Sequence, residues 1–305
     1  MITTSSVWAI SGAQLWQWQC QAKQEAVAAD IDPVEVDWFL QAVSSLDRLA
    51  LRLESYQEQS TIELQRSWDE LTHLWQQRLE RRVPLQYLVG QVPWRRFMLK
   101  VAPGVLIPRP ETEGLIDLVA NILQLELAGS DLSQGHWADL GTGSGAIALG
   151  LADLLQNARI HAVDQSLEAL TIAQENARSL GLERRIQFYY GSWWEPLRFL
   201  AGQLDGMVSN PPYIPRDMVA QLQPEVANHE PLMALDGGED GLECIRHLVE
   251  TAPLYLKPGG IWLVEMMAGQ ADSVVKLLEN QGSYSQIQVF KDLAGVERFI
   301  LAYRN

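Results

Sequence analysis

Apolar positions over the first 83 or so residues recur at helical spacing, with Leu15, Trp18, Ala22 and Ala26 on one stripe and Val36, Phe39, Leu40 and Val43 on another. No glycine follows Gly12 in this stretch. Asp32-Pro33 reads as a cap and first helical turn, and Leu64, Trp68, Leu71 and Trp75 extend the pattern towards Pro84. The spacing predicts a bundle of packed helices over residues 1–83. Next, residues 86–90 and 96–101 read as two short strands around a turn at Pro93, a β-hairpin linker within residues 84–106. From residue 107 to the end, strands and helices alternate. Helices are predicted at 112–127, 144–155 and 166–180, the last stopped by Gly181, and strands at 136–140, 159–163, 186–190, 204–209 and 261–265. Residues 286–290 and 297–303 have no helix between them and should form an antiparallel edge hairpin. The expected fold class is α/β, a mostly parallel sheet of seven strands with helices on both faces, preceded by a small helical domain.

Composition changes this picture little. A chain of 305 residues, 47% hydrophobic and 20% charged, can bury a core in each of two domains. Six of the eleven tryptophans fall before Pro84, where they either fill the core of a small bundle or form an exposed recognition face. A net charge of −15 opposes binding to free nucleic acid or an anionic membrane. One local reversal stands out: between Arg81 and Pro110 there is no acidic residue, whereas Arg81, Arg82, Arg95, Arg96, Lys100 and Arg109 are basic. Such a stretch is either a solvated linker or a contact for an acidic partner. Cys20 and Cys244 stand far apart without metal-ligand spacing, as buried thiols do in a reducing compartment. The first basic residue is Lys23, no apolar run approaches membrane-spanning length, and a cytoplasmic protein is expected.

Two motifs carry the chemistry. Asp139-Leu-Gly141-Thr-Gly143-Ser-Gly145-Ala follows a predicted strand and opens a predicted helix, the setting of a nucleotide loop. Gly141, Gly143 and Ala146 satisfy a dinucleotide fingerprint, while Gly141, Gly143 and Gly145 satisfy the tighter pattern of adenosylmethionine sites, so the loop alone leaves both open. Asp164 ends the next predicted strand, where an acidic residue binds ribose hydroxyls in either class. The second motif, Asn210-Pro211-Pro212-Tyr213, lies beyond the strand at 204–209. Prolines offer carbonyls without N–H donors and restrict the residue before them, so acceptors can be aimed in advance at a planar NH2 group on which Tyr213 stacks. A dehydrogenase would need an acid/base, usually histidine, and none of the five histidines is so placed. A methyltransferase needs only a bound sulfonium and an aimed nucleophile.

With both motifs in view, the chain resembles, nearly end to end, the HemK-type family that methylates the side-chain amide nitrogen of a glutamine (N5, in a Gly-Gly-Gln motif) in class I peptide chain release factors. The resemblance includes Pro84-Leu-Gln-Tyr-Leu-Val-Gly90, Val105-Leu-Ile-Pro-Arg-Pro-Glu-Thr-Glu113, Gly191-Ser-Trp-Trp194, Glu230-Pro-Leu-Met-Ala-Leu and Gly237-Gly-Glu-Asp-Gly-Leu242. It implies a Rossmann-like methyltransferase domain and, as the helical domain's role, substrate recognition. Gly141, Thr142, Gly143, Ser144, Gly145, Asp164, Trp193 and Asn210 would bind S-adenosylmethionine, with no metal. Asn210, Pro211, Pro212 and Tyr213 would bind the glutamine, and Asn210, Pro211 and Tyr213 would carry catalysis. Ser192 stands where the family often has an acidic residue, and Met266 and Met267 where a glycine is common. The expected partner is a release factor met by a monomer. The same Asn-Pro-Pro-Tyr device occurs in enzymes that methylate the exocyclic amine of adenine, which is the alternative function.

Overall fold

The computed structural model describes residues 8–125 and 132–305. The chain divides into two compact units, Met1–Gly90 and Gln91–Asn305. In the first, β1 (Trp8–Ile10), α1 (Gly12–Ala28), α2 (Val34–Val43), α3 (Arg48–Leu53), β2 (Ile62–Leu64), α4 (Trp68–Arg81) and α5 (Leu85–Val89) follow in order. The two stripes read from spacing meet in one core, where Leu15, Ala22, Ala26, Val36, Phe39, Leu40 and Val43 are buried. The residue at the N-cap of α2 is Pro33 rather than Asp32, whose Oδ1 makes a local turn by accepting from Val34 N at 2.9 Å. The tryptophans divide: Trp75 is buried and packs with Trp18 and Phe39, whereas Trp8 stands exposed.

Two expectations here need correction. Leu64 lies in a strand rather than on a helix, because Ile62 and Leu64 point inward in a three-residue pairing with β1 too short to show a period in the sequence. Residues 86–90 are not a strand either. Pro84 starts α5 and Gly90 ends it at φ 82°, its N–H bonded to the Gln86 carbonyl, which is ordinary helix punctuation.

The hairpin therefore sits later than expected and in the second unit, as β3 (Gln91–Trp94) and β4 (Phe97–Lys100). Pro93 lies within β3 and not at the turn, which an edge strand tolerates because the missing N–H faces no partner. The turn falls at Arg95-Arg96, with Arg95 at φ 50°, a conformation that glycine or asparagine usually announces in a sequence and arginine does not. The basic stretch around it is largely paired inside this unit. Arg95 bonds Asp117 at 2.8 Å, while Arg96 pairs with Asp153 and Lys100 with Glu175. These contacts dock the hairpin on three helices: α6 (Glu113–Leu125), α7 (Ala146–Leu154) and α8 (Leu167–Ser179). The last two residues of the helix expected at 112–127 lie outside the described residues.

The remaining elements are β5 (Gln134–Leu140), β6 (Asn157–Asp164), β7 (Ile186–Tyr190), β8 (Leu204–Ser209), α9 (Arg216–Val219), α10 (Pro224–His229), α11 (Glu243–Thr251), β9 (Leu256–Glu265), α12 (Ala271–Gln281), β10 (Tyr284–Lys291) and β11 (Glu297–Arg304). They build the expected sheet of seven strands in the order β10-β11-β9-β8-β5-β6-β7, in which β11 pairs antiparallel with both β10 and β9 and the other pairings are parallel. From β5 the chain winds outward through β6 and β7, then returns to add β8 and β9 on the other side. That reversal opens a crevice at the carboxyl ends of β5 and β8. Trp137 and Trp262 are fully buried on these strands, and β8 is buried along its whole length. Gly206 has no side chain for a packing reason, since a Cβ there would stand 2.4 Å from the Trp137 ring. Among the described residues no helix is long and apolar enough to cross a membrane.

Two histidines cross this sheet side by side. His136 Nδ1 and His161 Nε2 are 2.8 Å apart, and His161 Nδ1 lies 3.1 Å from the Tyr189 hydroxyl. One proton fits between the facing nitrogens, and burial lowers both pKa values, that of His161 from 6.5 to about 4. The unfolded chain therefore binds protons that the folded chain refuses, so this contribution is intact above pH 6.5 and is lost as pH falls towards about 4. Urea midpoints measured across that window should fall less steeply for His161→Gln than for the unsubstituted protein. Parallel slopes would remove His161 as a source of acid sensitivity.

Candidate active site

At the crevice, hydrogen bonds join the ends of neighbouring strands. Ser209 Oγ donates to the Leu140 carbonyl at 2.6 Å, and the N–H groups of Gly141 and Thr142 both donate to the Val163 carbonyl. The loop that follows β5 turns sharply, with Gly141, Gly143 and Gly145 at φ 76°, 55° and 86°. Asp139, wholly buried, holds its shape by accepting from Thr142 Oγ1 at 2.6 Å and from Ala148 N at 2.9 Å. Burial pushes the Asp139 pKa up to about 7, against those two hydrogen bonds. From the other side, Asn176 of α8 donates to the Ser144 carbonyl and exchanges bonds with the backbone of Lys100, so loop, helix and hairpin share one buried amide.

These elements enclose a cavity of about 590 Å³. Gly141, Thr142, Gly143, Ser144, Asp164, Trp193, Asn210 and Pro212 all line it. Gly145 does not: a Cβ on it would lie 3.0 Å from Ala173, so its work is to let α7 and α8 approach. Beside Gly143 the space is open, with no atom within 4 Å of a Cβ position, so a ligand could approach the loop backbone there. Asp164 accepts from Gly143 N and Ser166 N at 2.8 Å each, which leaves its remaining lone pairs for a ligand, and burial raises its pKa. Trp193 is held at φ 47°, a strained conformation for a tryptophan, with its ring near Gly141. Val163, Ile147, Ala169 and Leu106 add apolar walls. A glycine loop, a strand-end carboxylate and apolar walls fit an adenosyl cofactor.

A second cavity, of about 170 Å³, adjoins the first, and Asn210, Leu106 and Ala234 line both. Pro211 and Tyr213 line only the second, so the tetrapeptide forms part of both walls. Asn210 Nδ2 donates to Thr112 Oγ1 at 3.2 Å, and the Tyr213 hydroxyl donates to Glu265 Oε1 at 3.1 Å. Glu265, at the end of β9, is almost fully buried; burial raises its pKa while the Thr112 and Tyr213 hydroxyls oppose the shift. Burial, with Glu265 second, raises the Tyr213 pKa as well.

The segment after Tyr213 folds back to brace it. Ile214 N donates to the Leu235 carbonyl and Gly237 N to that of Ile214, so the backbone of Tyr213 meets Gly237 and Gly241, whose Cβ atoms would stand 2.8 Å from Tyr213 Cα and 2.5 Å from the Tyr213 carbonyl oxygen. Gln270 Nε2 closes this seam by donating to the carbonyls of Tyr213 and Gly241. At the rim, Arg109 Nη2 donates to both oxygens of Glu230 at 2.7 and 2.8 Å, tying the segment to the irregular stretch before α6. Burial raises the Glu230 pKa and Arg109 counters it. Among the described residues no group of three or more His, Cys, Asp or Glu side chains is placed to hold a metal ion.

Residues 112–227 match the model of the methyltransferase small domain. The solved hMettl16 catalytic domain, in complex with a 3′UTR hairpin, shares the fold at TM-score 0.54 and 13% identity, covering 87% of this chain and 88% of that one. A protein of Synechocystis sp. named release factor glutamine methyltransferase is 52% identical over 96% of this chain and 97% of its own length. The chain belongs to the release factor glutamine methyltransferase family. A member from Gloeobacter violaceus, of the same name, is 44% identical over 94% of this chain and 96% of its own. Like the family, this chain is an S-adenosylmethionine-dependent methyltransferase.

Of the sequence-predicted site residues, all but Gly145 line one of the two cavities. Sequence reasoning gave no place at the site to Thr112, Arg109, Glu230, Glu265 or Gln270, although Arg109 belonged to the basic stretch. For Glu265 a signal existed, a lone acid closing the apolar strand 261–264. The others act through contacts between segments far apart in sequence. Glu230 is buried while Arg109 is a third exposed, so Arg109→Ala leaves a carboxylate uncompensated and should destabilise this release factor glutamine methyltransferase by roughly 2–4 kcal/mol. Adding Glu230→Leu should recover most of that loss in urea titrations. A double variant no more stable than Arg109→Ala would show that the pair does not hold the rim.

Proposed function

We propose that this enzyme transfers the methyl group of S-adenosylmethionine to the side-chain amide nitrogen of a glutamine in a class I peptide chain release factor, the reaction for which its relatives are named. One observation supports the reading most: Asn210 stands where a glycine-walled cavity meets a small one, with its NH2 group bonded to Thr112 and its oxygen left to accept. When bound, S-adenosylmethionine supplies an electrophilic methyl group. Gly141, Thr142, Gly143 and Ser144, with Trp193, would cradle it, and Asp164 would accept from its ribose hydroxyls. An amide nitrogen is a poor nucleophile because its lone pair is delocalised. Asn210 Oδ1 and the Pro211 carbonyl take its two N–H groups, fixing the nitrogen towards the large cavity while Pro212 and Tyr213 hold the amide plane. As positive charge grows on the nitrogen, these acceptors bind it more strongly than they bind the planar amide. The new N–C bond forms as the methyl group's bond to the sulfonium sulfur breaks, leaving a neutral thioether; no strong base is needed, since the proton becomes acidic only as transfer proceeds and then passes to water.

The unit Met1–Gly90 recognises the protein substrate, a role suited to its exposed Val34, Leu49 and Leu53. The second unit carries the chemistry, and the enzyme works as a monomer in the cytoplasm. The net charge of −15 disfavours free nucleic acid as the acceptor.

Asn210→Ala should lose about 10²–10³ in kcat on a whole release factor while binding S-adenosylmethionine nearly as before. Asp164→Ala should do the reverse, weakening the cofactor about 10- to 100-fold, since hydrogen bonds to a charged group are worth roughly 1.5–3 kcal/mol. Single-turnover kinetics and calorimetry separate the two, and wild-type chemistry in Asn210→Ala would sink the mechanism. Deleting residues 1–90 should leave cofactor binding intact and sharply reduce methylation of the release factor. A truncated enzyme with full rate would end the recognition role.

A further inference from the structure

The acceptor turn has no N–H in its middle, because Pro211 and Pro212 carry none, so its aim is set largely at its two ends. Where it leaves the sheet, the register of β8 and the bond from Ser209 Oγ to the Leu140 carbonyl hold it. Its far end is Tyr213, whose carbonyl accepts from Gln270 Nε2 at 3.0 Å. The same Nε2 donates to the Gly241 carbonyl at 3.2 Å, and Gln270 Oε1 accepts from Met267 N at 3.0 Å. All three partners are backbone groups that cannot exchange donor for acceptor, so the Gln270 amide has one orientation. Gln270 is 6% exposed and lines neither cavity. Gly241 makes room for the contact, since a Cβ there would stand 2.8 Å from Gln270 Nε2. Between its two ends the turn is stiff, because each proline fixes its own φ and restricts the residue before it. A shift of the Tyr213 carbonyl is therefore passed to the Pro211 carbonyl rather than absorbed within the turn.

We propose that Gln270 is a positioning residue for methyl transfer, which clamps the Tyr213 backbone to Gly241 and so keeps the Pro211 carbonyl aimed at the acceptor nitrogen. The inference rests on the reading of Asn210 and Pro211 given above. Gln270 touches neither the acceptor glutamine nor the cofactor and acts through the turn that does. One side chain thereby ties together the end of the turn, the segment that folds back over it and the loop between β9 and α12. An acceptor on a loosened turn still binds but loses the alignment that transfer needs, and a misplacement of about 1 Å can cost on the order of 10²-fold in rate.

The test uses the full-length enzyme with a release factor as substrate. Gln270→Met keeps the length of the side chain and removes both donors; kcat should fall about 10- to 100-fold, while KM and the S-adenosylmethionine dissociation constant stay within about threefold. Gln270→Glu supplies a rescue that depends on pH. Its protonated carboxyl donates one bond to a carbonyl, whereas its ionised form donates none and sets a negative charge against two carbonyl oxygens. Burial raises the pKa of such a carboxyl, so kcat of Gln270→Glu, relative to wild type at the same pH, should be at least about threefold higher near pH 6.5 than near pH 9. The same ratio for Gln270→Met should not change with pH, and lost packing alone would give no difference between the two variants. Wild-type kcat in Gln270→Met, cofactor binding weakened as much as kcat, or a Gln270→Glu variant that follows Gln270→Met at both pH values overturns the proposal. Asn210→Ala run alongside separates the two levels. If it is inert while Gln270→Met is not impaired, only the clamp fails, whereas full activity in Asn210→Ala removes the reading beneath it.

Discussion

Everything at this site depends on the parallel pairing of β8 between β5 and β9. Strand pairing has a side-chain period of two, so slipping β8 by one residue would turn Ser209 away from Leu140 and carry Asn210 out of the crevice. The register is held because β8 is buried on both faces, with Trp137 lying against Gly206 where no side chain intervenes. Given that register, the ends of three neighbouring strands deliver the glycine loop, the Asn-Pro-Pro-Tyr turn and Glu265 to one place. A sheet that reverses its winding between β5 and β8 leaves that place open to a ligand.

Around it stand three buried acids, Asp139, Glu230 and Glu265, and the partly buried Asp164. Asp139, Asp164, Glu230 and Glu265 all have pKa values raised by burial, and each is countered by different partners: a threonine hydroxyl and a helix N–H, three loop N–H groups, a guanidinium, and two hydroxyls. The strained backbone of Trp193 belongs to the same pattern, in which local cost is carried where a ligand must be met. Away from the crevice the same unit is built conventionally, from apolar strands covered by amphipathic helices.

The basic stretch illustrates how tertiary contacts reassign a sequence feature. Read along the chain, six cations without an acid suggest a surface for an acidic partner. In the folded unit Arg95, Arg96, Lys100 and Arg109 meet Asp117, Asp153, Glu175 and Glu230, which come from later elements. The charges fasten the hairpin and the pocket rim.

Sequence alone determined the α/β alternation, the edge hairpin, the helical stripes of the first unit and both cavity-lining motifs. These are legible because each is local: apolar periods of two or 3.6, glycines at a strand-to-helix turn, prolines that restrict the residue before them. Short elements escaped, since β1 and β2 hold too few residues to show a period and the β3–β4 turn uses arginine at positive φ. Only the tertiary structure decided that Gly145 serves packing rather than the cavity, and that Gly237 and Gly241 are small to admit the Tyr213 backbone. It alone joined Thr112 to Asn210, Tyr213 to Glu265 and Arg109 to Glu230, residues 98, 52 and 121 positions apart. A hydrogen bond between distant segments leaves no trace in the spacing of either one, because its geometry is set by how the strands pair and not by what stands next along the chain.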